Sequence, residues 1–172
     1  MTEKEFLKLC KQGDLTSFRL LQVFITTPLF NLVNGQDDTG KTPLMILIQR
    51  NHEGTATLLN NARPDLALTD NDDNTALSIA IETYASGGSD YVTRLLEYNS
   101  NEGNSYLLRG DDKSKSNICK ITDQSKKEFL LDLFEQYGDP LDCTTGGSKR
   151  IKRRKSKKKR RKTKRTRHVY KI

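Results

Sequence analysis

The sequence predicts an all-α solenoid of short stacked helix pairs, followed by a disordered basic arm. Three observations carry that expectation. A turn-forming stretch, Asp37-Asp38-Thr39-Gly40-Lys41-Thr42-Pro43-Leu44, recurs 33 residues later as Asp70-Asn71-Asp72-Asp73-Asn74-Thr75-Ala76-Leu77. Each copy opens an apolar stretch with helical spacing, and a period of this length marks supersecondary units that bury one another's apolar faces by stacking. Charge is divided as well: Ser148 to Ile172 hold 16 of the 30 Lys and Arg and no Asp or Glu, which leaves the first 147 residues at −8 and the last 25 at +16. The net charge of +8 therefore describes neither part, and partners must be argued for each separately.

The N-terminal stretch is charged, and Phe6, Leu9 and Cys10 share one helical face that ends at Gly13, so it reads as an inner helix and not as a signal peptide. Leu15, Phe18, Leu20, Leu21 and Val23 supply the apolar positions of a companion outer helix, and Thr26 to Gln36 forms a longer connection to the first hairpin. Thr42 and Pro43 start the next inner helix, which continues through Leu47 and Ile48, turns at Asn51-His52, and is answered by an outer helix closing on Leu58 and Leu59. The following copy repeats Asp70, Thr75, Leu77 and Ile81 and carries Asp65 and Ala80 beside them, then inserts about five residues around Ala85-Ser86-Gly87-Gly88 before Val92, Leu95 and Leu96. Beyond Leu96 the pattern fades. Gly110 could form the turn of a further copy, but Asp112 to Ser116 is too polar for the helix that would follow it. Phe129, Leu130, Leu133 and Phe134 mark one face of a last helix, Lys126 to Tyr137, which reads as a C-terminal cap.

The turn D-x-x-G-x-T-P-L, the small apolar positions, the turn histidine His52 and the closing Leu-Leu pair resemble ankyrin repeats over about Glu3 to Leu96. Asn51 and Asp73 stand where that family carries glycine, and the small apolar positions hold bulkier side chains. The resemblance implies about three helix-turn-helix units with β-hairpin tips and a capping helix over residues 1–138. It also implies a non-enzymatic adaptor whose hairpin tips and inner helices meet a protein partner. The positions that would face it are Asp37, Asp38, Lys41, Met45, Gln49, Asp72, Asn74, Ser78 and Glu82. A short, Asn-rich chain of this kind with a Lys/Arg arm is also similar to proteins of large DNA viruses.

Several sharper motifs have plainer explanations. Gly35 to Thr42 fits G-x-x-x-x-G-K-[ST], but two carboxylates inside such a loop would repel phosphate, and the same residues are explained as a hairpin. Asp70 to Asp73 is rich in oxygen yet lacks the loop glycine and the terminal glutamate of a calcium loop. His52 and His168, in a fold and in an arm respectively, cannot form a fixed acid–base pair, so no cofactor, metal or catalysis is expected. Cys10, Cys119 and Cys143 are widely spaced and odd in number, which points to reduced thiols: Cys10 on an apolar helical face, Cys143 exposed in a linker. No apolar run reaches the roughly 18 residues of a membrane span.

Gly138-Asp139-Pro140 stops the last helix, residues 139–147 form a flexible linker, and residues 148–172 remain unfolded because like charges three and four apart oppose a helix. Lys149, Arg150, Lys152, Arg153, Arg154, Lys155, Lys157, Lys158, Lys159, Arg160, Arg161 and Lys162 make two clusters suited to a nuclear import receptor or to nucleic acid without base readout. The expectation is thus a monomeric intracellular adaptor, directed to nucleus or nucleolus in a eukaryotic cell and otherwise cytoplasmic. Its alternative is a nucleic-acid condensing protein in which the arm is the main functional element.

Overall fold

The computed structural model describes residues 2–13, 29–101, 112–137, 141 and 143. The outer helix expected through Leu15 to Val23, Gly110, most of the linker and the arm 148–172 lie outside the described residues. Those residues form eight helices: α1 (Glu3–Gln12), α2 (Leu29–Asn34), α3 (Pro43–Gln49), α4 (Gly54–Ala62), α5 (Ala76–Ala85), α6 (Tyr91–Asn101), α7 (Asp112–Lys120) and α8 (Gln124–Gln136).

Local chemistry sets the helix starts. Thr2 and Glu5 cap α1 reciprocally, the Thr2 hydroxyl taking the Glu5 N–H and the Glu5 carboxylate taking the Thr2 N–H. The repeated threonines do the same work 33 residues apart: Thr42 Oγ1 accepts from the Met45 N–H, and Thr75 Oγ1 from the Ser78 N–H at 3.1 Å. Pro43 occupies the first turn of α3, where its missing N–H is not needed. Asn51 ends α3 in the left-handed region at φ 53°, letting the His52 N–H return to the Leu47 carbonyl.

Helices α1, α3, α5 and α7 pack in succession as one row, with α4 on α3, α6 on α5 and α8 on α7 behind them. The core follows that row. Pro43 to Ile48 are all buried, because α3 packs against α1, α2, α4 and α5, and Ile81, Leu58, Leu95 and Phe134 complete adjoining layers. The short helix α2 lies within what the sequence presents as a connection, and it buries Leu32 and Val33 against α1, α3 and α4.

Four expectations need correction. Asp112 to Ser116 is helical and belongs to α7, the fourth member of the inner row; a buried Ser114, a nearly buried Lys115 and a fully buried Ile118 suffice for packing against α5. The final helix is therefore the outer partner of α7. On it Leu130, Leu133 and Phe134 are buried as expected, but Phe129 is 40% exposed and rests against the Tyr84 ring. Cys119 and Cys143 are joined in a disulfide with Cα atoms 5.3 Å apart, so neither is a reduced thiol and Cys143 is no free linker side chain. The hairpin tips, finally, are closed by turns, with no strand among the described residues.

Candidate functional site

The two tips are copies of one hydrogen-bonded device. In the first, the Gly40 N–H reaches the Asp37 carbonyl at 2.8 Å, and the Asp37 N–H reaches the Lys41 carbonyl; the second repeats both bonds with Asp73, Asp70 and Asn74. Each tip needs a left-handed residue at its fourth position, supplied by Gly40 at φ 77° and by Asp73 at φ 59°. Only Gly40 is also crowded: a Cβ there would lie 2.6 Å from Asn71 Oδ1. That crowding is the link between repeats, since the Asn71 N–H donates to the Thr39 carbonyl and its amide to the Asp38 carbonyl.

The leading aspartates close each tip from inside. Asp37 Oδ1 accepts from the Thr39 and Lys41 N–H groups and the Thr39 hydroxyl, while Oδ2 meets the Lys11 ammonium at 2.9 Å. Burial alone pulls the Asp37 carboxyl upward, but these bonds outweigh it and hold it far below the usual carboxylate range. Asp70 is balanced in the same way, burial opposed by the Asn74 amide and the Asn74 and Asp72 N–H groups, with a net lowering. The N–H groups that a phosphate would need in Gly35 to Thr42 are thus held by Asp37, the Lys41 ammonium sits on Gln49 Oε1 at 2.8 Å, and Thr42 caps α3. Among the described residues no group of three or more His, Cys, Asp or Glu is placed to hold a metal ion.

His52 has a comparable internal task. Its Nδ1 accepts the Gly54 N–H at 2.9 Å, so the ring proton sits on Nε2 facing the Gly13 carbonyl, and its own carbonyl accepts from the Tyr91 hydroxyl. One turn residue therefore touches three successive units.

Of the side chains expected to face a partner, Asp38, Gln49, Asp72 and Glu82 are exposed, and Lys41 and Asn74 are partly so. Met45 and Ser78 are not available: they are 1% and 0% exposed, enclosed as the inner helices stack. Asp37 is committed to its own turn and to Lys11. Lys41, Gln49, Asn74 and Glu82 line a hollow of about 320 Å³, and Glu82 and Ser86 continue into a second of about 540 Å³ bordered by Asn117, Lys120 and Asp123. Sequence reasoning missed that second part, because it lies on α7. Asn117 donates to Glu82 Oε1 at 2.8 Å, and the Lys113 ammonium reaches the Asp72 carbonyl, so α7 is knitted to both helix and tip of the preceding unit.

A family model for ankyrin repeats, in three copies, matches residues 7–107. The chain belongs to the ankyrin-repeat family. Comparisons with curated proteins and with solved structures gave no match. Ankyrin repeats are typically protein–protein interaction modules. No helix among the described residues is long and apolar enough to cross a membrane.

Proposed function

We propose that this protein is a non-enzymatic adaptor: the trough between the hairpin tips and the inner helices holds a segment of a protein partner, and the arm 148–172 directs the complex to the nucleus or to nucleic acid. The observation that carries the reading is the continuity of the trough. Exposed Gln49 and Glu82 come from successive inner helices, and α7 extends the same row. Side chains of mixed polarity over a rigid helical row suit recognition of an extended or turned peptide. The arm supplies 16 cations without an acidic residue, enough for an import receptor or for counterion-releasing contacts with phosphates. A monomer carrying both elements needs no membrane contact, cofactor or metal for this role.

Two substitutions test the reading. Glu82→Lys should abolish capture of the trough's partner while leaving the helical circular dichroism spectrum unchanged. Replacing Lys157, Lys158, Lys159, Arg160, Arg161 and Lys162 by Gln should move the protein from nucleus to cytoplasm in a eukaryotic cell, and lower its affinity for duplex DNA. If the second set removes every detectable function and the first removes none, the condensing-protein alternative is correct.

A further inference from the structure

The disulfide fixes the point from which the basic arm is tethered. Cys119 is the penultimate residue of α7, and its neighbour Lys120 borders the larger hollow of the trough. Fixing Cys143 at that point tethers the arm beside the trough: Lys149 follows six residues later, so it can lie no farther than about 20 Å from Cys143 at full extension. The charges match. Asp38, Asp72, Asp73, Glu82 and Asp123 are exposed along the trough and its tips. Of the lysines among them, Lys41 is turned to Gln49 and Lys113 to the Asp72 carbonyl, while Lys120 is exposed at the border, leaving the five carboxylates in excess.

We propose that the segment 148–172 of this same chain occupies the trough while the Cys119–Cys143 bond is intact, and that reduction of the bond frees it for other anionic partners. The inference rests on reading the trough as the binding face. Exposed ion pairs are individually weak and screened by salt, so occupancy depends on how high the tether keeps the local concentration of the arm. With the disulfide formed, the tether runs five residues from Cys143 to Ser148; without it, the last described helical turn at Tyr137 lies eleven residues before Ser148. A fall with the −3/2 power of length makes the local concentration about threefold lower. The origin also moves: three residues separate α7 from α8, and the 13 residues of α8 carry the chain about 20 Å along its axis before Tyr137. The chemical step is ordinary thiol–disulfide exchange. A dithiol reductant gives up two electrons and two protons, its own sulfurs become a disulfide, and Cys119 and Cys143 become thiols.

The full-length protein treated with a water-soluble carbodiimide, which joins lysine amines to nearby carboxylates, tests this directly. In the oxidised protein, Lys157, Lys158 and Lys159 should link to Glu82 and Asp123, and 0.5 M salt should suppress the links. In Cys143→Ser, or in the native chain after mild dithiol treatment should that variant fold poorly, the same links should fall about threefold or more, and affinity for a short DNA duplex should rise by a similar factor. Equal linking to Glu97, Asp132 and Glu135 on α6 and α8 would overturn occupancy of the trough; trough links unchanged by reduction would overturn control by the disulfide. The cross-link map reads the chain against itself and is blind to a protein partner, so loss of partner capture in Glu82→Lys stays a separate result.

Discussion

Asn99 is 3% exposed on α6, yet neither its amide oxygen nor its amide nitrogen has a hydrogen-bond partner. Alanine, as at Ala62 in the matching place after the Leu-Leu pair of α4, removes that deficit. Asn99→Ala is therefore expected to stabilise the protein by about 1 kcal/mol, read as a higher urea midpoint with an unchanged slope. The two left-handed tip residues should respond in opposite directions. Asp73→Gly relieves φ 59° and should gain about 0.5 kcal/mol, whereas Gly40→Ala meets both φ 77° and the Asn71 contact and should lose more than about 1 kcal/mol. Acid sensitivity comes from Asp37 and Asp70. Their folded pKa values lie below the unfolded carboxylate range, so their stabilisation is complete above about pH 4 and disappears as the pH falls through the lower folded values. Asp37→Asn should flatten the urea midpoint against pH in that acid window and lower it at neutral pH. Thiols should report two environments: none reacts in the native oxidised protein, Cys119 and Cys143 react after mild reduction, and Cys10, its pKa pushed up to about 12 by burial, reacts only on unfolding.

Caps and inner helices provide the next set of measurable energies. Thr42→Ala and Thr75→Ala should each cost about 1 kcal/mol, since each removes the acceptor for an otherwise unpaired N–H at a helix start. Ile118→Ala should cost about 2 to 5 kcal/mol although α7 is mostly polar, because Ile118 is 0% exposed. That contrast explains which elements were legible in the sequence. The tips and α3 through α6 were readable because turn chemistry recurs at a fixed interval: Asp37 and Asp70, Thr42 and Thr75 perform identical bonds. Helix α7 was not, since Ser114 and Lys115 are buried among its polar positions and only Ile118 carries an apolar signal. Met45 and Ser78 were misplaced because the family resemblance carries over one open side for each inner helix, whereas stacking on several sides encloses them here. The insertion was readable as extra length but not as a longer α5, whose last carbonyls, Tyr84 and Ala85, accept from the Lys126 ammonium at 3.1 and 2.9 Å. The disulfide was hidden because residues 24 apart must be brought together by α8 before their spacing means anything.

As a stack, the protein depends on neighbours more than on any single unit, so Ile81→Ala, in the fully buried part of α5, should destabilise α3 and α7 together. Hydrogen exchange should show amides of both helices losing protection in that variant. The Lys/Arg arm should give a DNA affinity with a dissociation constant of order 10⁻⁴ to 10⁻⁶ M that falls steeply with salt. The Cys119–Cys143 bond has one more consequence, for the order in which the stack comes apart. Linear stacks fray from their ends, and this bond closes a loop around α8, which by chain-entropy reasoning makes opening of the last unit about 3.5 kcal/mol harder. An oxidised molecule should then unzip from α1 toward α7, and a reduced one from both ends, so the redox state of the surroundings sets the direction of unfolding and decides which end a protease meets first.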